Sequence, residues 1–357
     1  MMYKKLKLPI LYKYITIEII KPFLFILLLL FLIMLIFSTY EFLQKIATGI
    51  LTKSVLLPLI FFKNILSLEV LIPLSFFLAC TLVLSKMDDS NEMTAILSSG
   101  SNSAKVFKPV IMLTIIVAIF ATFQGFIIRP WAYKNIYYLE FYSKRAFDIS
   151  KINPGHFVSF ENGGKIVYAD EKTKDNILQN VFLQTKSDNT LELIYAKSGY
   201  INNESGLFIL RDGTMYLYNT QTKKESFAKF ETTYIDISNN EAVEYKTKAM
   251  SISELLQKKT NVSIVELEWR ITIPFMTFFL GLLSTALSRS SPRIKRRSQK
   301  LILAILIYGL YYNLYDVVEE WVKRGLFPAL PGTFSLTALL LVVYIYIKIK
   351  NKKEYLY

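Results

Sequence analysis

Residues that could do chemistry are sparse in this sequence. Its single histidine, His156, begins an apolar run and has no acid or nucleophile beside it, so we assign it a structural or surface role. The segment Gly163-Gly164-Lys165 looks like the end of a phosphate-binding loop, but the first glycine of that motif is missing and Ile166 stands where Ser or Thr is needed. The one cysteine, Cys80, excludes an intramolecular disulfide. The sequence therefore predicts no enzyme and no bound cofactor or metal.

A short polar segment, about 87–100, is the best candidate for a contact with another protein. Ser90 or Asp89 can cap the N-terminus of a short helix here, and Gly100 can end it. The apolar positions of this helix then fall on one face: Met93, Ile96 and Leu97. A partner protein could bind a short amphipathic helix of this kind at the membrane surface. An ordinary solvated turn explains the same residues.

Long apolar stretches flank the segment 87–100 and must determine where it lies. Crossing an apolar core of about 30 Å takes about 20 helical residues. Six stretches are long enough and nearly free of charge: 23–37 continuing to about 45, 65–84, 109–128, 271–288, 301–318 and 326–347. The end of the fifth is set by Asp316, Glu319 and Glu320. The sequence predicts a membrane protein with six spans.

Lysine and arginine in short segments indicate the orientation of the spans, because such segments stay on the cytoplasmic side. Three segments are basic: the N-terminus with Lys4, Lys5, Lys7 and Lys13, the loop after the fourth span with Arg289, Arg293, Lys295, Arg296, Arg297 and Lys300, and the C-terminal tail with Lys348, Lys350, Lys352 and Lys353. Both termini are then cytoplasmic. The central block, about 129–268, lies outside, in a periplasm if the cell has two membranes.

The net charge of +14 is typical of some nucleic-acid-binding proteins, but here 53% of the residues are hydrophobic. The basic residues concentrate at the ends of the spans, where they interact with anionic lipid headgroups. We therefore expect contacts with membrane lipids and none with nucleic acid. The first apolar stretch is too long for a cleavable signal peptide and lacks a small-residue cleavage site.

The central block has the pattern of β-strands. Its short runs rich in Val, Ile, Phe and Tyr are 156–160, 165–169, 180–185, 191–197, 207–211, 214–219, 226–230 and 233–237. Turn signals separate the runs at 162–164, 202–206 and 211–213, and the last of these fits a tight hairpin. Strands at this spacing predict an antiparallel sandwich or jelly roll. Helical connectors are expected at 131–149 and 251–267.

The whole chain resembles the LptF/LptG (YjgP/YjgQ) permease family, whose members are paired membrane subunits of the ABC complex that extracts lipopolysaccharide from the inner membrane. Five local matches carry the resemblance: Leu71-Ile72-Pro73-Leu74-Ser75, residues 92–100, Asn153-Pro154-Gly155, Leu210-Arg211-Asp212-Gly213-Thr214, and Glu266-Leu267-Glu268-Trp269-Arg270-Ile271-Thr272. The last is more similar to the F member than to the G member. The resemblance implies an α+β membrane protein in which a periplasmic antiparallel β-jelly-roll domain, 129–268, is inserted between helices 1–3 of residues 1–128 and helices 4–6 of residues 269–357.

The resemblance also implies the partners and the location of the chain. The chain would be a multi-pass inner-membrane permease subunit without ATPase activity, driven by a dimer of LptB-like ATPases. It would share a lipid cavity with an LptG-like permease and pass lipopolysaccharide through LptC to LptA. Glu92 matches the family's coupling helix and is expected to contact a basic residue of LptB, with Met93, Ile96 and Leu97 beside it.

In this family, spans one and five border the lipid cavity. The residues of this chain that could line it are Phe23, Leu27, Leu30, Met34 and Phe37 in span one, and Tyr308, Tyr311, Tyr312 and Tyr315 in span five. Ordinary helix packing produces the same stripes.

Candidate contacts for the lipid phosphates are the cations near the outer ends of the spans: Lys45, Lys53, Arg129, Lys323 and Arg324. Such residues also serve as interfacial anchors. The chain departs from the family where Ser38 and Glu41 take places at which a basic residue is expected, and the acids at the end of span five add negative charge. Phosphate binding then needs a bridging divalent cation or positive charge from the partner subunit.

Two other classes of function remain open. The chain could be a structural or mechanotransmission scaffold whose sheet recruits partners. A lipid-modifying membrane enzyme is a further alternative, although no cluster of catalytic residues converges in the sequence.

Overall fold

A computed structural model describes residues 10–47, 51–99, 103–145, 154–160, 165–173, 177–186, 190–202, 207–236, 243, 245–288 and 297–354. The chain divides into two compact units. The helical unit contains Met1–Ser38, Phe61–Asn135 and Tyr245–Tyr357, and the sheet unit contains Thr39–Ile60 and Ile136–Glu244. The fold is α+β. Several basic residues that predicted the orientation, among them Lys4 and Arg293, and Asn153 of the family match lie outside the described residues.

Long apolar helices make up most of the helical unit. In chain order the helices are α1 (Ile10–Ala47), α2 (Leu56–Asp89), α3 (Glu92–Ser98), α4 (Ser103–Phe123), a π-helical turn (Gln124–Ile128), α5 (Arg129–Arg145), α6 (Ile252–Lys258), α7 (Asn261–Ser288), α8 (Arg297–Lys323) and α9 (Phe334–Glu354). Among the described residues, five helical stretches are long and apolar enough to cross a membrane: Ile10–Ala47, Lys53–Asp89, Val106–Ser143, Asn261–Ser288 and Arg297–Lys323. The sixth span, which would be α9, stays a prediction.

Three helix boundaries differ from the sequence-based expectation. The helix that contains the fifth predicted span does not end near 318, because α8 continues through Asp316, Glu319 and Glu320 to Lys323. The connector before span four is two helices, α6 and the start of α7, separated at Lys259, which has a positive φ of 43°. The connector after span three is continuous with that span through the π-helical turn. Polar residues therefore belong to the same rigid helices as the apolar spans.

Helix α7 forms the centre of the main hydrophobic core. Its buried residues Ile273, Met276, Leu280, Leu283 and Leu287 recur at intervals of three and four, which places them on one helical face. The core cluster also contains Phe77 of α2, Ala304 and three tyrosines of α8, and Leu340 of α9. A glycine allows α4 to approach closely, since a Cβ at Gly281 would lie 2.3 Å from Oγ1 of Thr114.

A second core joins the first turns of α1 to α2, α3 and α4. It contains Ile15, Ile19, Phe76, Cys80 and Met87, together with Met93 of α3 and Val106 and Val110 of α4. The predicted helix at 87–100 is therefore present, but shorter, as Glu92–Ser98. Its N-cap position is occupied by Asn91, which has a positive φ of 58°, rather than by Ser90 or Asp89.

The described residues of the sheet unit form one antiparallel sheet. Its six strands follow each other in sequence order: β1 (Val158–Phe160), β2 (Lys165–Lys172), β3 (Leu178–Lys186), β4 (Thr190–Asn202), β5 (Leu207–Asn219) and β6 (Lys224–Asp236). Its core includes Val167, Val181, Leu183, Ile194 and Phe208. The antiparallel sheet is confirmed, whereas its classification as a jelly roll stays a prediction.

The expected hairpin at 211–213 is wrong, because β5 runs straight through these residues. Arg211 pairs with Ser198 and Gly213 with Ala196, so the register continues across Asp212, whose φ is +49°. A Cβ at Gly213 would lie 2.4 Å from the carbonyl oxygen of Tyr195, which explains glycine at this position better than a turn does. The runs 226–230 and 233–237 are likewise one strand, β6.

Candidate functional site

A cavity of about 420 Å³ lies in the helical unit, at the ends of α1, α2 and α8 that are remote from α3. Its wall combines apolar side chains with charged ones. The lining residues are Met34, Lys63, Leu66, Ser67, Glu69, Val70, Arg129, Tyr133, Lys248, Trp269, Tyr312, Asp316, Glu319, Glu320 and Lys323. A volume of this size accommodates a headgroup-sized ligand but not a lipid with several acyl chains.

A buried ion network forms one wall of the cavity. The Arg129 guanidinium donates to Oε2 of Glu69 at 2.6 Å and to the two carboxylate oxygens of Glu266 at 2.7 Å and 3.0 Å. The side chains of Arg129, Glu69 and Glu266 are 8%, 2% and 6% exposed, so water screens them little. Charges buried in this way require partners, because an uncompensated buried charge costs several kcal/mol. Arg129 therefore joins α2, α5 and α7.

The start of α7 supplies the other members of this network. Glu266, Trp269 and Arg270 lie at spacings of three and four, on one side of the helix. Trp269 donates from Nε1 to Oε1 of Glu69 at 2.7 Å, and Arg270 donates from Nε to Oε1 of Glu266 at 3.1 Å. The five polar groups thus form one continuous set of contacts.

A π-helical turn precedes Arg129 and changes the direction in which it projects. Such a turn inserts an extra residue into a helix and is frequent at functional sites. It is fixed by Gln124, whose side-chain amide donates to the carbonyl oxygen of Ile65 at 2.7 Å. The backbone of Arg270 packs against this turn, since a Cβ at Gly125 would lie 3.5 Å from its carbonyl oxygen.

The chain segment that follows the last strand contributes Lys248 to the wall of the cavity. The Arg270 guanidinium donates to the carbonyl oxygens of Lys248 at 3.3 Å and Met250 at 3.0 Å, which fixes this segment against α7. The Lys248 side chain lines the cavity. Burial lowers the pKa of Lys248, and the nearby charge of Arg129 lowers it further, while Glu266 opposes the shift. A bound anion would stabilise the protonated ammonium group.

The acids of α8 balance part of this positive charge. Glu319 pairs with Lys323, and Asp316 and Glu320 lie in the same wall. Within the described part of the chain, no group of three or more His, Cys, Asp or Glu side chains is arranged to hold a metal ion. The wall of the cavity therefore carries both positively and negatively charged side chains.

The structure divides the predicted lipid contacts into cavity and core residues. Met34 and Tyr312 line the cavity. Tyr308, Tyr311 and Tyr315 are buried in the core around α7, where Tyr308 donates to the carbonyl oxygen of Val70 and Tyr311 hydrogen-bonds Thr337. Phe23 and Leu27 pack against the second core, Leu30 is half-buried, and Phe37 is 64% exposed. Ordinary helix packing thus accounts for most of the tyrosine stripe.

The predicted phosphate contacts also separate. Arg129 and Lys323 line the cavity, but Arg129 is engaged by Glu69 and Glu266. Arg324 forms an exposed pair with Glu320 at 2.7 Å. Lys45 pairs with Glu41 at 2.7 Å and, like Lys53, belongs to the sheet unit, whereas the cavity lies in the helical unit.

The predicted coupling residues have two different environments. Met93 is buried, and Ile96 packs against the same core. Glu92 is half-buried, and Leu97 is 36% exposed. Of these four residues, Met93 is therefore inaccessible to another molecule, Leu97 is exposed, and Glu92 and Ile96 are half-buried.

Sequence reasoning missed several cavity residues, namely Lys63, Glu69, Lys248 and Trp269. A signal for Glu69 was available, because an acid inside an apolar span requires a cation, and Arg129 stands at the end of the next span. No comparable signal marked Lys248, whose position depends on the contact between Arg270 and the main chain.

Comparison with known proteins adds an independent observation. A family model described as the lipopolysaccharide export system permease LptF/LptG matches residues 13–350. The chain is also 26% identical over 266 residues to the lipopolysaccharide export system permease protein LptF of Escherichia coli K12, and the match covers 72% of each chain. The LptF proteins of Escherichia coli O157:H7 and Shigella flexneri match to the same extent. The family match includes α2, the sheet, the ion network and α8.

Proposed function

Since the chain belongs to the lipopolysaccharide export permease family LptF/LptG, we propose that it is the F-type permease subunit of an ABC exporter that extracts lipopolysaccharide from the inner membrane. The observation that carries this proposal is the cavity, in which the apolar side chains of Met34, Leu66, Val70 and Trp269 adjoin lysines. An amphiphile with acyl chains and phosphates requires both kinds of surface.

The headgroup phosphates would contact Lys63, Lys248 and Lys323, which line one cavity. The position of Lys248 in the cavity wall favours this assignment, because partial desolvation and the nearby Arg129 lower its pKa and a phosphate would stabilise its protonated ammonium. Acidic Asp316 and Glu320 lie in the same wall, so a divalent cation or a partner's basic residue would assist. Lys45, Lys53 and Arg324 would then act as interfacial anchors.

A cavity of about 420 Å³ is too small for several acyl chains, so the chain would complete a larger cavity with a G-type partner. The exposed apolar residues Phe37, Leu310 and Leu314 on α1 and α8 support such a shared wall. ATP would be hydrolysed by a dimer of LptB-like subunits, which would contact Glu92 and Leu97. This chain would carry no enzymatic activity.

The membrane arrangement completes the proposal. α9 would be the sixth span, both termini would be cytoplasmic, and residues 129–268 would form a periplasmic jelly roll that passes lipid to LptC and LptA. The described sheet ends in an exposed strand, β6, with Phe227 71% exposed, which suits strand addition by a neighbouring sheet.

Affinity purification of this chain from native membranes tests the proposal. Recovery of an ATPase, a second permease and lipopolysaccharide is expected. Recovery of periplasmic partners without ATPase or lipid would instead support the scaffold function.

A further inference from the structure

Two polar contacts connect the segment around α3 to two of the helices that border the cavity, α1 and α8. One reaches α1 at Tyr14 and the other reaches α8 at Lys300. The nearest cavity residues of these helices, Met34 in α1 and Tyr312 in α8, lie 20 and 12 positions further along the chain. At about 1.5 Å per residue, the contact and the cavity are separated by roughly 30 Å along α1 and by roughly 18 Å along α8.

The contact with α1 holds both oxygens of one carboxylate. Tyr14 donates its hydroxyl to Oε2 of Glu92 at 2.9 Å, and Ser90 donates to Oε1 at 2.9 Å. Hydrogen bonds to an ionised acceptor are stronger than neutral ones. Since Met93 is buried in the core next to this contact, α3 is fixed to the first turns of α1 by a polar and an apolar contact together.

The contact with α8 is buried on one side. The Lys300 ammonium donates to Oδ2 of Asp88 at 3.0 Å and to the carbonyl oxygen of Ser288 at 2.6 Å, and its side chain is 2% exposed. The last turn of α2, the end of α7 and the first turn of α8 are joined at this point. A third, weaker pair connects Lys86 to Glu18 of α1 at 3.5 Å.

We propose that Tyr14 and Lys300 are positioning residues that fix segment 86–98 to α1 and α8, so that a displacement of this segment moves these two helices together. The inference rests on the proposed function, in which an ATPase displaces α3. Glu92 is half-buried, so its carboxylate can bind Tyr14 while its exposed side receives a cation from the ATPase. Both helices are continuous between the contact and the cavity, and α1 contains Pro22 in this interval.

Substitution of each contact, followed by measurement of lipid released per ATP hydrolysed, tests the inference in the complete complex in membranes. Tyr14→Phe removes one hydroxyl, and Asp88→Asn removes the charge that faces Lys300. Each is expected to lower the ratio roughly threefold to tenfold while the ATPase stays bound. The matched controls are Tyr12→Phe and Asp89→Asn, which change neighbouring residues of the same types. A normal ratio in both test variants, with the ATPase bound, would overturn the inference alone.

Cross-linking tests whether the contact between segment 86–98 and α1 stays closed during transport or must separate. Glu18→Cys and Lys86→Cys introduce thiols at the third pair without changing Glu92, and the native Cys80 is buried. If the segment and α1 move together, a short bis-thiol reagent leaves the ratio of the double variant unchanged. Loss of lipid release after cross-linking, with ATP hydrolysis continuing, would contradict the inference. Absence of any ATPase from the wild-type complex would overturn the proposed function and the inference with it.

Discussion

Replacement of Arg129 by methionine should destabilise the helical unit strongly. Arg129 forms three hydrogen bonds to the carboxylates of Glu69 and Glu266, and all three side chains are at most 8% exposed. After Arg129→Met, Glu266 keeps Arg270, but Glu69 keeps only the indole of Trp269. Breaking a buried ion pair by removing one partner costs about 3–5 kcal/mol. At about 2–4 °C per kcal/mol, the midpoint of thermal unfolding should fall by roughly 6–20 °C.

The matched control is Arg324→Met, because Arg324 also bonds a carboxylate at 2.7 Å, that of Glu320. This pair is 67% and 49% exposed, so its loss should cost less than about 1 kcal/mol. Unfolding of the detergent-solubilised protein can be followed by tryptophan fluorescence, with size-exclusion chromatography as a second measure. The double variant Glu69→Met/Arg129→Met should recover part of the loss, since no unpaired carboxylate remains on α2. Equal effects of Arg129→Met and Arg324→Met would refute the reasoning.

Three further predictions concern packing, lipid contact and coupling. Gly281→Ala should lower the free energy of unfolding by about 1–3 kcal/mol, because the new Cβ would collide with Thr114. Gly309→Ala is the control, since a Cβ there enters open space, and thermal unfolding measures both variants. Binding of a phosphorylated lipid should weaken as pH rises through the lowered pKa of Lys248, since the ammonium loses its proton there, and Lys248→Arg should abolish this pH dependence in a lipid-retention assay. Glu92→Lys should reduce co-purification of the ATPase and lipid export, and normal values of both would exclude the predicted contact.

The helices were predictable because their signal is local. An apolar run of about 20 residues forms a helix in a membrane whatever its neighbours are, so five predicted spans are found as apolar helices. Helix ends were less predictable. Asp316 and Glu319 suggested the end of the fifth helix, but Glu319 pairs with Lys323 and α8 continues to that residue. At 211–213 the turn signal was misleading, since Gly213 is required by the close approach of Tyr195.

The cavity was only partly predictable because it depends on contacts between distant segments. Arg129 and Glu266 are 137 positions apart, and nothing in either local sequence identifies the other as its partner. The tyrosines of α8 show the same limit, because a helical stripe does not reveal whether it faces a cavity or a neighbouring helix. Only Tyr312 of the four lines the cavity.

The distribution of burial indicates where the cavity can change its volume. In their most apolar windows, α2 and α7 are 67% and 61% buried, whereas α1 is 6% buried and α8 is 22% buried. The ion network connects α2, α5 and α7, and breaking it would cost several kcal/mol. No comparable buried ion pair among the described residues joins the cavity ends of α1 or α8 to this group. In the proposed exporter, expansion and collapse of the cavity would therefore involve α1 and α8 more than the block of α2, α5 and α7, and α1 and α8 are the two helices that Tyr14 and Lys300 connect to the segment around α3.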